Sequence, residues 1–266
     1  MLELEAVAYR YPGSARDALR GIDLRLKDGE VVGLVGPSEA GKSTLCLVAS
    51  GLAPASIGGT LRGRLLIDGA PTTGHPSHVL GGRIGIVFAD PASQRSGMTG
   101  TVLEEVALGP VNLGLSVEET LRRTRRALER TGLEALAGRD PGHLSGGEAQ
   151  LLAISAVLAM EPRHLILDEP TSHLDAAAAR RVGDVLRALA TEGTSLLIAE
   201  CRTDVLDGLC NRVVALDAGR MVLDGAARAV LADSSLLAIG VEPPARLRLE
   251  AALAERGLAL PDGLVA

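Results

Sequence analysis

The segment that decides the fold reads Gly36-Pro37-Ser38-Glu39-Ala40-Gly41-Lys42-Ser43-Thr44. It fits the pattern G-x-x-x-x-G-K-[ST], with a second hydroxyl residue after it. The short apolar run Val31–Val35 before it favours a buried parallel strand, and residues 45–49 after it contain no helix breaker. Strand, glycine loop and helix start therefore follow one another in the order that phosphate binding requires.

The residue types in this loop suit an anion. Glycine lets the backbone close tightly on a phosphate, and the free N–H groups at a helix start point at it with the positive end of the helix dipole. Lys42 is then expected to reach the β- and γ-phosphates of a nucleotide, and the Ser43 hydroxyl to ligate Mg²⁺. The alternative is a glycine-rich turn with a solvated lysine, which the flanking strand and helix disfavour.

Length and composition limit the class of protein. The chain has 266 residues, enough for one large domain or for one domain with an appendage. Hydrophobic residues make up 47% of it but aromatic residues only 1%, so aliphatic side chains must fill the core. Lysine and arginine number 27 against 33 acidic residues, a net charge of −6, which disfavours a nucleic-acid-binding protein.

Cysteine usage and hydropathy indicate reduced, cytoplasmic thiols and no membrane span. The three cysteines, Cys46, Cys201 and Cys210, form no C-x-x-C pair. The N-terminus lacks the basic start and apolar stretch of a signal peptide. Residues 151–160 form the longest apolar neighbourhood, which falls short of the roughly 20 residues that span a bilayer. If the protein works at a membrane, we expect another chain to supply the membrane part.

Alternating apolar residues predict an antiparallel flap of strands around the core, over residues 2–8, 22–26 and 64–68. Tyr11 follows the first of these strands, in a chain with only two tyrosines and one phenylalanine. It could stack on an adenine ring or simply pack in its loop, and the residues alone leave both interpretations open.

The middle of the chain predicts one strand and two helices. Residues 83–88 predict a second buried strand, and residues 101–108 predict a helix stopped by Gly109-Pro110. Ser116 with Glu119 predicts a capping box that opens another helix. The arginines on that helix fit a solvated face better than a phosphate-binding patch, because acidic residues are interspersed nearby.

Two further segments carry residues suited to nucleotide chemistry. Residues 144–150, Leu-Ser-Gly-Gly-Glu-Ala-Gln, place a hydroxyl and two glycines before an apolar helix over 151–160, where N–H groups can meet an anion. Residues 165–167 predict a third buried strand that runs into Asp168 and Glu169, at the end where open α/β sheets bind ligands. Asp168 suits Mg²⁺, and Glu169 suits a base or a water-orienting group. The alternatives are a simple helix cap and a surface turn.

The remainder of the chain predicts more alternating elements and a tail. We place the boundary between a main unit, residues 1–232, and a C-terminal helical extension, residues 233–266. The remaining predicted elements are a helix over 176–190, a fourth buried strand over 195–199, a hairpin over 212–223 and a helix over 247–256.

Three segments, in this order, resemble the hallmark motifs of ATP-binding-cassette (ABC) ATPases: residues 36–44, Leu144-Ser-Gly-Gly-Glu148 and Leu165-Ile-Leu-Asp-Glu169. Within that family the chain is similar to the ATPase subunits of energy-coupling-factor importers, the cobalt, nickel and vitamin uptake group. The segments that carry this second resemblance are Arg10-Tyr-Pro-Gly13, Asp90-Pro-x-x-Gln94, Thr101-Val-x-Glu-Glu-Val-Ala-x-Gly-Pro110, Asn112-Leu-Gly-Leu115 and the helix after the proline pair.

The resemblance implies an α/β P-loop NTPase fold. It would have a RecA-like, mainly parallel sheet, an antiparallel β flap, a helical subdomain over about residues 92–160 and a short C-terminal helical tail. The cassette would occupy residues 1–232.

The resemblance also implies roles for single residues. Glu169 would be the catalytic glutamate, with Lys42 on the phosphates, and Ser43 and Asp168 would hold Mg²⁺. Two cassettes pack head to tail in this family, so Ser145 and Gly147 would complete the nucleotide site of the opposite subunit. ATP would contact Tyr11 through its adenine ring and the loop residues Gly36, Pro37, Ser38, Glu39, Ala40, Gly41, Lys42, Ser43 and Thr44.

The implied partners are other proteins and not nucleic acid. They are a second cassette, identical or, in the favoured interpretation, a different chain, a transmembrane coupling protein, and a membrane component that chooses the substrate. Glu104 and Glu105 lie where the family receives its transmembrane partner. The implied location is the cytoplasmic face of the cell membrane, as a peripheral subunit.

Two positions depart from the family pattern. The family has a glutamine where this chain has Ala89, and a histidine where it has Cys201. An alanine donates nothing and a thiol donates weakly to a phosphate, so we expect this subunit to bind ATP but hydrolyse it slowly, within an asymmetric pair. One alternative is a regulatory cassette in which ATP acts only to join two subunits. A cassette that acts on nucleic acid or ribosomes is disfavoured by the single cassette and the acidic balance.

Overall fold

A computed structural model describes residues 1–72 and 80–258. Two β-sheets and the helices around them make up this described part. The strands are β1 Leu2–Arg10, β2 Leu19–Leu26, β3 Val31–Val35, β4 Thr60–Ile67, β5 Ala70–Pro71, β6 Ile84–Val87, β7 His164–Asp168, β8 Ser195–Ala199, β9 Arg212–Asp217 and β10 Arg220–Ala226. The α-helices are α1 Lys42–Ala49, α2 Leu52–Ala55, α3 Val102–Asn112, α4 Val117–Thr131, α5 Gly146–Leu158, α6 Ala176–Thr191, α7 Ala227–Leu231, α8 Ser235–Ala238 and α9 Ala245–Ala254.

The larger sheet has the strand order β10-β9-β3-β8-β7-β6. Its strands run parallel from β9 to β6, and only β10 is antiparallel, at one edge. The residues of β3, β7 and β8 are all buried, as expected of central strands with both faces covered. Because parallel strands end at the same edge, the loop after β3 and the carboxylates after β7 share one edge of this sheet. The predicted mainly parallel core is therefore confirmed.

The two faces of this sheet belong to two different apolar clusters. Alternate residues of a strand point to opposite faces, so Val31 and Val35 pack with the helices α3 to α6. Val32 and Leu34 pack instead with α1 and with the antiparallel sheet. Both clusters consist almost entirely of aliphatic side chains, as the composition predicts.

The smaller sheet is the predicted flap, with the order β2-β1-β4-β5. Its central strand β1 pairs antiparallel with both β2 and β4. Strand β4 begins at Thr60, earlier than the predicted residue 64, because backbone pairing such as Arg10 with Thr60 extends it beyond its apolar residues.

The helical subdomain corrects one expectation, since α3 does not stop at Gly109-Pro110. The helix continues to Asn112 and carries Pro110 in its last turn, where the ring removes only one backbone hydrogen bond. Gly109 serves packing and does not end the helix, because a Cβ atom there would lie 2.8 Å from Met160 Cγ. The glycine thus lets α3 approach the end of α5 closely.

Two helix starts also differ from the prediction. Helix α5 begins at Gly146, not at residue 151, because Ser145 and Glu148 form a reciprocal capping box that adds a turn. At α4, Ser116 caps the Glu119 N–H as predicted, but the Glu119 carboxylate bonds to Arg122 and Arg123 and does not close the box.

The C-terminal helix α9 begins after Pro244, two residues before the predicted start at 247. Two hydrogen bonds connect the start of α9 and the residues just before it to the segment that follows Cys201. Thr203 Oγ1 donates to the Glu242 carbonyl over 2.7 Å, and the Ala245 N–H donates to Asp204 Oδ1 over 2.7 Å. The division at residue 232 stays a prediction. None of the helices in residues 1–72 and 80–258 combines the length and hydropathy of a membrane span.

Candidate functional site

The loop between β3 and α1 turns back sharply against the end of β9. A Cβ atom on Gly36 would lie 2.4 Å from the Leu216 carbonyl oxygen, so only glycine fits there. Gly41, which precedes α1, has φ +104°, and a Cβ on it would lie 2.9 Å from the Ala18 carbonyl oxygen. Glycines at these two positions therefore set the path of the loop into the helix, where free N–H groups can bind an anion.

Lys42 joins this loop to the end of β7. Its side chain is buried, and Nζ donates to the carbonyl oxygens of Gly36, over 2.9 Å, and Pro37, over 3.2 Å. The same ammonium lies 3.7 Å from Glu169 Oε1. The structure thus brings together the lysine and the glutamate that the sequence predicted for one site.

Ser43 and Asp168 are the two residues predicted to hold a metal ion. The Ser43 hydroxyl donates to Asp168 Oδ1 over 3.0 Å. Burial raises the pKa of Asp168, and the nearby charge of Glu169 adds to the rise. A hydroxyl and a carboxylate are the hard oxygen ligands that Mg²⁺ prefers, so this pair fits that ion.

Glu169 is held in an unusual backbone conformation. Its φ of +49° lies in the left-handed region, which costs a residue other than glycine on the order of 1–3 kcal/mol. Its N–H donates to the Ala199 carbonyl over 2.8 Å, which fixes the turn to the end of β8. Its side chain accepts a hydrogen bond from Cys201 Sγ at 2.9 Å. Burial, together with this bond, raises the pKa of the Cys201 thiol, so the sulfur keeps its proton near neutral pH.

The glutamines of the chain are both bound to backbone near Ala89. Gln94 Oε1 accepts from the Phe88 N–H at 2.7 Å, and its Nε2 donates to the Ile86 carbonyl over 3.0 Å. Gln150 Nε2 donates to the Phe88 carbonyl over 3.3 Å. These bonds stabilise the end of β6, and they engage both polar atoms of the Gln94 amide and the nitrogen of the Gln150 amide.

Tyr11 lies beside the start of α1. Its hydroxyl is 3.1 Å from Thr44 Oγ1, and its ring packs edge to face on Tyr9 with the ring centres 5.0 Å apart. The contact with Thr44 puts this aromatic residue next to the phosphate-binding loop. The adenine-stacking role stays a prediction, and the packing in its loop is present as well.

Glu200 has no role predicted from the sequence, but the structure connects it to the site. Glu200 is fully buried, and its Oε1 accepts from the Thr171 N–H at 3.0 Å and the Thr171 hydroxyl at 2.7 Å. Burial raises its pKa to about 7, against the effect of these bonds. The carboxyl thus ties the end of β8 to the turn after Glu169. A glutamate directly after a buried strand was the only signal in the sequence.

The segment with Ser145 lies at the exposed start of α5. The Ser145 hydroxyl donates to Glu148 Oε2 over 2.7 Å, and within the described residues its hydrogen bonds stay inside this loop. A Cβ on Gly147 would lie 2.7 Å from Ala178 Cβ, so this glycine allows close packing of α5 on α6. Asp175 caps α6 by accepting from the Ala177 and Ala178 N–H groups.

Glu104 and Glu105 are both engaged inside the helical subdomain. Glu104 accepts from the N–H groups of Gly100 and Thr101, and Glu105 is buried and accepts from Ser96 and Thr99. In this structure the two carboxylates therefore stabilise residues 96–101, the segment that leads into α3.

Comparisons with known proteins agree with this geometry. A family model described as ABC transporter matches residues 19–172. A putative ABC transporter ATP-binding protein from Pyrococcus horikoshii is 41% identical over 260 residues, which cover 97% of this chain and 91% of that protein. The chain belongs to the ABC transporter family, as an ATP-hydrolysing cassette subunit.

Other comparisons show similarity to particular members of the family. An energy-coupling factor transporter ATP-binding protein of Methanosarcina acetivorans is 37% identical over 263 residues, covering 98% of this chain and 92% of that protein. The structure of cbiO1 from Clostridium perfringens, described as part of the ABC transporter complex cbiONQ, has a TM-score of 0.79 and 32% identity and covers 96% of both chains. The cassette MJ0796, a dimer in a post-hydrolysis state with ADP and phosphate, has a TM-score of 0.74 and 27% identity and covers 86% of this chain and 99% of that chain. The predicted fold class and ATPase class are confirmed.

Proposed function

We propose that this chain is the ATP-binding subunit of an energy-coupling-factor importer for a metal ion or a vitamin, and that it is the weakly hydrolysing member of an asymmetric pair. The likeness to an energy-coupling factor ATP-binding protein and to cbiO1 supports the importer class. The hydrogen bond from the Cys201 thiol to Glu169 is the single observation that supports slow hydrolysis at this site.

ATP binds, in this proposal, along the loop of residues 36–44, with Tyr11 against the adenine ring. Lys42 neutralises the β- and γ-phosphates, and Ser43 and Asp168 hold Mg²⁺, which would withdraw charge from the phosphate oxygens. Glu169 orients and deprotonates the attacking water. The buried Lys42 ammonium, within reach of both the loop and Glu169, supports this arrangement.

Slow hydrolysis follows from the loss of two hydrogen-bond donors, at positions 89 and 201, and from the hydrogen bond that occupies the Glu169 carboxylate. Ala89 offers no amide near the water, and the two glutamines nearby are committed to the backbone of residues 86 and 88. The Cys201 thiol donates to Glu169, the residue that has to accept the proton of the water. Removing one donor aimed at developing charge typically slows an enzyme by about 10²- to 10³-fold.

A second cassette is part of this proposal. Ser145 and Gly147 lie at an exposed helix start whose hydrogen bonds stay local, which leaves the N-terminal end of α5 open to a phosphate of another subunit. The dimeric MJ0796 structure supports a paired arrangement. We propose a different chain as the partner, a transmembrane coupling protein docked on the helical subdomain, a separate substrate-binding membrane component, and a peripheral position on the cytoplasmic face of the membrane.

The alternative function is a regulatory cassette in which ATP joins two subunits and is hardly hydrolysed at this site. The same pairing of Cys201 with Glu169 favours it. The two proposals differ in the rate that remains when the partner is absent.

Steady-state ATP hydrolysis by the purified chain, and by the chain with its copurifying cassette, tests the proposal. We expect a slow rate for the chain alone, lost in Glu169→Gln, and a severalfold to hundredfold rise in the double variant Ala89→Gln with Cys201→His. An undetectable rate in both forms would favour the regulatory alternative. Brisk hydrolysis by the unaltered chain, dependent on Glu169, would contradict the asymmetric pair.

A matched control separates restored chemistry from a general effect of new polar side chains. Ala92→Gln adds the same amide in the turn after β6 but three residues away from position 89. It should leave the rate unchanged. Copurification with a polytopic membrane protein would support the importer class, whereas copurification with ribosomes or DNA would argue against it.

A further inference from the structure

Three residues that are far apart in the sequence meet at the edge of the core sheet opposite the phosphate-binding loop. Asp28 lies in the turn between β2 and β3, Asp68 directly follows β4, and His164 is the first residue of β7. One ligand atom from each lies within 4.8 Å of the other two. The nearest His164 nitrogen, Nε2, lies 4.0 Å from Asp28 Oδ1.

His164 is the unusual member of this cluster. Its side chain has no exposed surface, and neither ring nitrogen has a hydrogen-bond partner among the described residues. Buried polar atoms in folded proteins are nearly always paired with protein groups, water or an ion, and an unpaired one costs about 1–3 kcal/mol. The His164 ring therefore needs a hydrogen-bond partner or a ligand that the described residues do not provide.

The two aspartates form a place for positive charge. The Met1 ammonium lies 2.7 Å from Asp28 Oδ1 and 2.8 Å from Asp68 Oδ1, and the Arg163 guanidinium lies 3.1 Å from Asp68 Oδ2. Those cations balance the carboxylates, whereas both nitrogens of His164 stay unpaired within residues 1–72 and 80–258. A single partner for all three residues would be a cation that also takes an imidazole nitrogen as a ligand.

We propose that Asp28, Asp68 and His164 bind one divalent transition-metal ion of the zinc class. Imidazole nitrogen and carboxylate oxygen are both ordinary zinc ligands, at about 2.0–2.2 Å, and three protein ligands leave a position for water. Mg²⁺ and Ca²⁺ fit poorly, because they take oxygen ligands only. Small side-chain movements bring the three ligand atoms to the closer spacing that such bonds require, and the metal replaces the ammonium between the aspartates.

Such an ion joins the two sheets. Asp28 and Asp68 extend from turns of the flap, whereas His164 begins a central strand whose other end is Asp168. The site lies at the opposite end of β7 from the phosphate-binding loop. Its expected effect is a higher thermal stability of the whole chain.

Isothermal titration of the EDTA-treated full chain with ZnCl₂, in excess MgCl₂ and without nucleotide, tests the site. We expect one Zn²⁺ per chain and a higher Tm on binding. Asp28 is largely exposed, so Asp28→Asn should fold normally, yet we expect it to bind Zn²⁺ at least about tenfold more weakly. His164→Gln should weaken binding to the same extent or more.

The control variant is Asp184→Asn, which makes the same change at an exposed aspartate on α6. It should bind Zn²⁺ like the unaltered chain. Titration with CoCl₂ identifies the ligands, since nitrogen and oxygen ligands give weak visible bands without the strong near-ultraviolet band of cobalt bound to a thiolate. The proposal fails if Zn²⁺ does not bind, if Asp28→Asn binds it equally well, or if the cobalt spectrum shows a thiolate.

Discussion

Cys201 and Glu169 share one hydrogen bond, in which the thiol donates to Glu169 Oε1 over 2.9 Å. The Lys42 ammonium lies 3.7 Å from the same oxygen. A carboxylate, a thiol and an ammonium from three separate segments therefore meet at one atom. We therefore expect the reactivity of the thiol to depend on the charge of this carboxylate.

Alkylation by iodoacetamide should modify Cys201 before the other cysteines, because Cys201 is exposed and Cys46 is buried. The reaction should be slow because the thiolate is the reacting form, and partial burial of the sulfur together with the bond to Glu169 raises the pKa of the thiol. Glu169→Gln should speed it severalfold by removing the charged acceptor. Peptide mass spectrometry measures the rates. An unchanged rate in Glu169→Gln, with Glu118→Gln as the control, would show that the bond does not govern the thiol.

Replacing Lys42 with alanine should weaken ATP binding by roughly tenfold to a hundredfold, the equivalent of one hydrogen bond to a charged group. Lys27 is the only other lysine of the sequence and lies in an exposed turn before β3, so Lys27→Ala is a matched control. Fluorescence titration with a labelled ATP analogue measures both affinities. Equal affinities in the two variants would remove Lys42 from the nucleotide site.

Two substitutions at Tyr11 separate ring stacking from the contact of its hydroxyl with Thr44. Tyr11→Phe keeps the ring and should change the affinity for ATP by less than about threefold. Tyr11→Ala should weaken it by about tenfold or more, because stacking of a base on an aromatic ring contributes about 1–3 kcal/mol. The same titration compares GTP with ATP. If Tyr11→Phe weakens binding as much as Tyr11→Ala, the hydroxyl and not the ring carries the effect.

Glu200 should make stability depend on pH. Burial raises its pKa in the folded state to about 7 from the ordinary 4.5, so the folded chain holds this proton more tightly than the unfolded chain. Its contribution is fully present below about pH 4.5 and is lost as the pH rises through 7, by an amount on the order of 3 kcal/mol.

Glu200→Gln should remove that part of the pH dependence while it keeps an acceptor for Thr171. Guanidinium unfolding between pH 5 and 8 measures the free energy of unfolding of both proteins. Glu118→Gln, at an exposed position on α4, provides the control. Parallel pH profiles for Glu200→Gln and the unaltered chain would mean that the buried carboxyl does not titrate in this range.

The sequence alone predicted the elements whose signal is local. The loop of residues 36–44 and the run 165–169 carry their chemistry in consecutive residues, and the structure joins them through Ser43 and Asp168. The apolar runs of β3, β7 and β8 predicted central strands because both faces of those strands are buried.

Features that depend on tertiary contacts could not be predicted. Gly109 looked like a helix stop, but its neighbour Met160 belongs to a segment about fifty residues away. The sequence predicted no role for Glu200, and only the approach of Thr171 shows that it links two segments in the interior. Asp28, Asp68 and His164 share no motif, because each comes from a different turn or strand end, and only the packing of two sheets brings them together.

The hydrogen bonds that hold the C-terminal extension limit where the chain can be truncated or recombined with a relative. Thr203 and Asp204 lie two and three residues after Cys201, and they form hydrogen bonds with Glu242 and Ala245 of the tail. A truncation before Glu242 would leave the buried Thr203 hydroxyl without its acceptor, two residues from the Cys201 thiol. Chimeras that exchange C-terminal tails between relatives should therefore take all of residues 201–245 from the same parent protein.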